Sequence, residues 1–287
     1  MSLAPTAVTD LDTEWMRDLE GIELDLLLEA IYRTYGYDFR HYARGSIRRR
    51  IWRRARAEGM ASLSGLQEAV LHDGGCMARL LTDLSVRTTA MFRDPGFYRT
   101  LRAKVVPALR TYPFIRIWNA GCSTGEESYS MAILLQEEGL YDRARIYATD
   151  INEVALDGAR AGRFPLEKMK EYTRNYISAG GTKAFSEYYT VNRADARFDP
   201  SLAANLIFAQ HNLVSDRSFN EFNLILCRNV LIYFDTTLQE QVHGLLHESL
   251  GRFGVLALGA KEALKPLSVR RRYIELDPEQ KLYRRAA

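Results

Sequence analysis

Residues 114–138 place the strongest constraint on how this chain can fold. The run FIRIWNAG is apolar and strand-like, GEESYSMAILLQEE has helical spacing, and only the turn Gly121-Cys-Ser-Thr-Gly125 separates them. A strand, a glycine turn and a helix in that order open a βα unit. The rhythm continues with ARIYATDI, NEVALDGARA, ANLIFAQHNL, FNLILCRNVLIYF, the helical TTLQEQVHGLLHESLGRF and the strand-like GVLALGA. Strands alternating with helices predict an α/β fold around a doubly wound, mostly parallel sheet. Ligands of such sheets sit at the carboxyl ends of the strands.

Outside that region the pattern differs. Residues 15–85 carry only helical periodicity, seen in Ile22, Leu26, Leu27 and Ile31 and again in Leu63, Leu66, Val70 and Leu71, with breaks at Gly36 and Gly74-Gly75. The expected organisation is a small N-terminal all-helical domain over 1–85 and a linker with a connecting helix over 86–110. The sheet domain then occupies 111–287, with an insertion at about 163–205. That insertion holds Tyr172, Tyr176, Tyr188 and Tyr189 and reads as a helix plus a short antiparallel hairpin.

Composition excludes several classes. No apolar run approaches the roughly 20 residues needed to span a bilayer, and residues 1–12 do not read as a secretory signal. A cytoplasmic protein without membrane insertion is expected. The three cysteines, Cys76, Cys122 and Cys227, lie far apart and form no zinc or disulfide pattern. His243 and His247 are spaced i, i+4, but without a catalytic glutamate between them they read as a solvated helix face, and no metal is expected.

The glycine turn ends in two acids, Glu126 and Glu127. A pyrophosphate loop would exclude carboxylates, and the turn does not match GxGxxG, so a nicotinamide cofactor is disfavoured. An acidic loop suits a cationic ligand instead, and S-adenosylmethionine carries an ammonium and a sulfonium. The alternative is an ordinary strand–turn–helix in which Ser123 or Thr124 caps the helix. Asp150 ends the strand IYATD, where an acid can accept two ribose hydroxyls; it could equally cap the next helix. Asn212 and Leu213 follow NLIFA and could read an adenine edge and cover its face. Arg228 and Asn229 interrupt the apolar run 224–234, and polar groups buried there need partners, a ligand or a strand-end network.

In these motifs the chain resembles the chemotaxis receptor glutamate O-methyltransferases, the CheR family. The matching runs are Thr88-Thr89-Ala-Met-Phe-Arg93-Asp-Pro, GCSTGEESYS, ATDIN, HNL and CRNVLIYFD, in family order and spacing. The resemblance implies a Rossmann-like methyltransferase sheet that uses S-adenosyl-L-methionine, with S-adenosyl-L-homocysteine as product. It implies a cofactor site built by Thr89, Arg93, Glu127, Asp150, Asn212, Leu213, Arg228 and Asn229, joined by Gly121, whose missing side chain lets the backbone come close to a ligand. Arg93 and Tyr233 would also face the reacting glutamate. Two positions depart from the family pattern: Arg87 replaces an Asn, and GAKE at 259–262 stands in place of GHSE. A glutamate acceptor is ionised at neutral pH and needs no general base, which agrees with the missing Ser/His or Cys/His dyad.

Residues 44–56 read RGSIRRRIWRRAR, seven arginines in thirteen positions without an acid, in a chain whose net charge is only +3. Helical phasing sets Ile47, Ile51, Trp52 and Ala55 against Arg49, Arg50, Arg53 and Arg56. With the family's acceptor in view, that arginine face is expected to dock the acidic cytoplasmic helices of a chemoreceptor, with no nucleic acid bound. A receptor's C-terminal peptide at the insertion is a second candidate contact, and the protein is expected to act as a monomer. Two rivals stay open: a nucleic-acid methyltransferase, and a non-catalytic module that senses the cofactor.

Overall fold

The computed structural model describes residues 10–85, 89–192, 195–264 and 267–286. The chain forms two compact units, one ending at Leu84 and one beginning at Ser85.

The first unit is four helices: α1 (Asp10–Tyr35), α2 (Arg44–Ala57), α3 (Leu63–His72) and α4 (Gly74–Leu84). Its core joins Leu27, Leu28 and Ile31 of α1 to Ile47, Ile51 and Ala55 of α2, with Leu63, Leu66 and Val70 of α3 and Leu80 of α4. The arginines of α2 do not form one free face. Arg44 pairs with Asp25 and Arg48 with Glu20, while Arg53 and Arg54 converge on Asp83. Arg50 donates to the carbonyl of Leu84 at the end of α4, where the helix dipole favours a cation. The expected docking set is therefore divided. Arg50 and Arg53 are tied into the helical unit, whereas Arg49 and Arg56 are exposed, the latter over the Trp52 ring at 6.0 Å.

The second unit starts with α5 (Pro95–Thr100), which runs through one π turn, Leu101–Val105, into α6 (Val106–Leu109). Pro107 has no N–H and crowds the carbonyl four residues back, and the wider π turn absorbs that misfit. Phe97, Tyr98, Leu101 and Val105 join this unit's main core, so the connecting helix packs as part of it.

There follow β1 (Ile115–Ala120), α7 (Glu126–Glu137), β2 (Ala144–Asp150) and α8 (Glu153–Ala161). The insertion contributes β3 (Arg163–Pro165), α9 (Met169–Ser178), β4 (Tyr189–Asn192) and β5 (Asp195–Phe198). Next come α10 (Pro200–Ala203), β6 (Leu206–Gln210), β7 (Phe222–Cys227), α11 (Thr236–Ser249) and β8 (Leu250–Leu258). The chain closes with α12 (Leu267–Arg270), β9 (Tyr273–Asp277) and β10 (Leu282–Arg285). The seven-stranded sheet has the order β6-β2-β1-β7-β8-β10-β9. Its first five strands are parallel; β10 runs antiparallel to β8, and β9 antiparallel to β10. This is the doubly wound, Rossmann-like fold, and its order reverses at β1, the topological switch point. The insertion forms a separate antiparallel sheet, β3-β5-β4. It is fastened beneath α7, since Tyr172 donates to Glu126 and the hydroxyls of Tyr176 and Tyr188 to Glu137.

Three features differ from the sequence reading. The apolar run 224–234 is not one strand: β7 ends at Cys227, and the run continues into a 3₁₀ turn, Leu231–Tyr233, whose Leu231 is buried. Helix α11 stops at Ser249, and the closing hairpin β9–β10 lay unread among charged residues. The i, i+4 histidines are not a solvated face, because His243 is fully buried.

Burial lowers the His243 pKa from its ordinary 6.5 to about 4. A folded-state pKa below the unfolded one means the unfolded chain binds the extra proton first as pH falls. Stability is then complete above about 6.5 and is lost towards 4, by about 3 kcal/mol for this one group. Urea unfolding at neutral pH and near pH 4.5 should show this loss, and His243→Phe should remove most of it. An unchanged acid slope in that variant would contradict the assignment.

Candidate active site

The glycine turn needs its glycines for two reasons. Gly121 (φ 76°) and Gly125 (φ 92°) are both left-handed. A Cβ on Gly121 would also stand 2.5 Å from Val230 Cγ2, and one on Gly125 would stand 2.8 Å from Ala159 Cβ. Gly125 itself is the N-cap of α7, so neither Ser123 nor Thr124 caps that helix. Glu126 turns inward, buried between Thr124 and Tyr172, and only Glu127 reaches the cleft.

That cleft opens where β1 and β7 end. It is lined by Thr89, Ala90 and Arg93 from the segment before α5, by Gly121, Cys122, Ser123 and Glu127 from the turn, and by Arg228, Asn229 and Tyr233 after β7. Sequence reasoning assigned seven of these residues, and the fold brings all seven together. The backbone is strained around them: Phe92, Asp94, Ser123 and Asn229 all have positive φ without being glycine. Such residues cost about 1–3 kcal/mol each and cluster where side chains must be aimed. Arg93 stands between two of them.

Arg228 holds the cleft together. Its guanidinium donates to Glu127 at 2.7 Å and to Asp94 at 2.8 Å and lies 3.9 Å above the Phe97 ring. Burial works most strongly against its charge, but Glu127, the Tyr98 hydroxyl and Asp94 together outweigh it and keep the guanidinium protonated. The second oxygen of Glu127 has no partner among the described residues.

Asp150 lies beside the cleft at the end of β2. Its carboxylate accepts the N–H of Ser123 at 2.8 Å and of Asn152 at 2.9 Å. The cap of α8 is Asn152, not Asp150. Burial raises the Asp150 pKa, partly offset by these backbone N–H groups. Two of its roughly four lone-pair positions remain for a ligand. Asn212 and Leu213 follow β6, one strand further out, and do not line the cleft; His211 N–H bonds the Asp150 carbonyl and fixes their position. The Asn212 side-chain oxygen accepts Val214 N–H, leaving its amide hydrogens. Cys122 lines the cleft, but burial and the Asp150 carboxylate push its thiol well above the ordinary range, so it is no nucleophile. Arg87 lies outside the described residues.

The sequence did not reveal Glu262. It is buried, and its carboxylate accepts four backbone N–H groups, from Asn229, Val230, Leu231 and Gly259, at 2.6–3.0 Å. It therefore sets the loop that carries Arg228, Asn229 and Tyr233. Gly259 permits this, since a Cβ there would stand 2.7 Å from Glu262 Oε2. The departure at GAKE leaves this function intact, because Lys261 is exposed.

Residues 87–279 match the CheR methyltransferase SAM-binding domain, and residues 22–85 match the CheR methyltransferase all-alpha domain. The chain is 49% identical over 265 residues to the Cher3 protein of Pseudomonas putida, covering 92% of this chain and 97% of that one. It is 29% identical to a chemotaxis protein methyltransferase of Salmonella typhimurium, covering 82% of each. A chemotaxis protein methyltransferase of Listeria monocytogenes is 26% identical, over 86% of this chain and 92% of that one.

Replacing Glu262 by Gln substitutes an amide N–H₂ for one acceptor oxygen and sets it against backbone N–H groups. Unfolding in urea should show a loss of about 2–3 kcal/mol. A loss below about 0.5 kcal/mol would mean that the loop does not depend on this carboxylate.

Proposed function

The chain belongs to the CheR methyltransferase family, and from that membership we propose that it methylates glutamate side chains of chemotaxis receptors. It is an S-adenosylmethionine-dependent methyltransferase; the methyl ester of glutamate on a receptor's cytoplasmic helices is the product proposed. When bound, the cofactor supplies an electrophilic methyl group. The observation that carries the acceptor is Arg93, a cation held between two left-handed residues in a cleft where no histidine is found among the described lining residues. A carboxylate acceptor is already ionised, so the site needs a positioning cation and no base.

The residues present fit the cofactor. Asp150 keeps acceptor capacity for two ribose hydroxyls, and the unpartnered oxygen of Glu127 suits an ammonium group. Ser123 Oγ is buried without a partner among the described residues, so a ligand can satisfy it. Asn212 and Leu213 would read and cover the adenine. Arg93 orients the acceptor carboxylate and Tyr233 shapes the pocket beside it. Arg228 acts through Glu127 by fixing its carboxylate. An arginine bound too tightly to the acceptor would stabilise the ground state, so positioning is its role.

For the partner, Arg49 and Arg56 are exposed cations that suit acidic receptor helices. Arg50 and Arg53 add to the field although they are paired within their own unit. The outer edge of β4 pairs with no strand among the described residues, and its Val191 is 59% exposed. Such an edge can take a receptor tail peptide by strand addition. Among the described residues no helix is long and apolar enough to cross a membrane. A cytoplasmic enzyme that meets its receptor at the receptor's cytoplasmic helices completes the proposal.

Arg93→Ala should lower methyl transfer on the order of 100-fold. Cofactor affinity, read by calorimetry, should change less than about threefold. An equal collapse of both would remove Arg93 from the acceptor side. Asp150→Asn should instead weaken cofactor binding about tenfold or more. Only the ionised carboxylate accepts both hydroxyls, and burial raises its pKa in the free protein, so binding must displace a proton once the pH falls to that pKa. Affinity should therefore fall as pH is lowered into the carboxylate range, and the Asn variant should lack that dependence. A pH-independent wild-type affinity would contradict this role for Asp150.

A further inference from the structure

At the end of the sheet opposite the cleft, where β7 and β8 begin and β10 finishes, lies a concavity of about 550 Å³. Its lining includes Arg252, Arg271, Arg272 and Arg285, with His247 and Glu221. Arg285 donates to the carbonyls of His247 and Leu250. Among the described residues, Arg252, Arg271 and Arg272 have no carboxylate within ion-pair distance, although the adjacent Arg270 pairs with Glu275.

The backbone goes out of its way to build this cluster. Pairing of β7 with β8 jumps from Phe222↔Leu250 to Leu224↔Val255, a bulge that throws out Gly251-Arg252-Phe253-Gly254. Phe253 is left-handed at φ 63°, and a Cβ on Gly254 would stand 2.9 Å from the Phe222 carbonyl oxygen. Bulges re-aim side chains, and here the exposed Arg252 is delivered to the pocket rim. The local field is positive: burial first, then Arg285 and Arg272, hold the His247 imidazole below its ordinary pKa. Its Nδ1 is buried without a hydrogen-bond partner among the described residues.

Like charges gathered without counter-ions repel one another, and a bound polyanion relieves that repulsion. Guanidinium forks match phosphate oxygens in geometry. The volume falls within the roughly 300–1,000 Å³ usual for small-molecule sites, and a concavity favours a compact ligand over a nucleic-acid backbone or a membrane. Glu221, the one acid in the lining, would repel phosphate but can accept a hydroxyl or amine proton. We propose that this pocket binds a nucleoside oligophosphate, its phosphates on Arg252, Arg271 and Arg272 and its sugar or base on Glu221.

Calorimetry of the full chain with GTP, ATP and inorganic tripolyphosphate tests this. S-adenosylhomocysteine at saturation keeps adenosine out of the cofactor cleft. At least one nucleotide should bind at one site, and R271E/R272E should weaken it about 100-fold at unchanged S-adenosylhomocysteine affinity. Should that double variant fail to fold, R252E on the exposed bulge should still weaken binding about tenfold. E221Q should weaken the nucleotide, while tripolyphosphate, relieved of a repelling charge, should bind as tightly or more tightly. The proposal falls if neither nucleotide binds, if binding survives the arginine reversals, or if E221Q treats both ligands alike. It falls equally if only anionic vesicles or duplex DNA bind.

Discussion

The Arg228 guanidinium is the interaction on which the cleft depends. It joins three segments remote in sequence: the end of β7, the first turn of α7 through Glu127, and the bend before α5 through Asp94. An ion pair with so buried a cation repays its desolvation only if every partner stays in place. The surroundings enforce this. The Phe97 ring lies against the guanidinium, Gly121 lets Val230 approach, and Glu262 fixes the following loop through four backbone bonds. Glu262 is costly in the same way, since burial raises its pKa and only the converging N–H groups offset that. The cleft is a set of buried charges that hold one another.

Preorganisation of this kind suits methyl transfer to a carboxylate. Such a reaction asks little of acid–base groups and much of positioning. The left-handed residues on either side of Arg93, and those at Ser123 and Asn229, concentrate backbone strain at the cleft. The doubly wound sheet gathers these loops at one end because parallel strands all finish there.

Much of this was legible in the sequence because it is local. The glycine turn, Asp150 at a strand end and the Arg228-Asn229 pair stand beside apolar runs whose period marks strand or helix. What was not legible is tertiary. Glu262 looks like any loop glutamate until four N–H groups converge on it. The run 224–234 read as one strand because it is apolar on both sides of Arg228-Asn229, though Leu231 is buried by a 3₁₀ turn and not by the sheet. Arg50 and Arg53 read as a free face because their partners, the Leu84 carbonyl and Asp83, lie some thirty residues away. His243 read as solvated because nothing in its neighbourhood along the chain marks the full burial that the fold gives it.

In the proposed reaction the methyl group goes to a glutamate carboxylate. The direct measurement is transfer from methyl-tritiated S-adenosylmethionine to a receptor cytoplasmic fragment, followed by mild alkali. The account predicts that the label is released as volatile methanol, because a carboxyl ester hydrolyses in base. Label that stays on the protein through alkali, or that enters transfer RNA or DNA while the receptor fragment stays unlabelled, would contradict it.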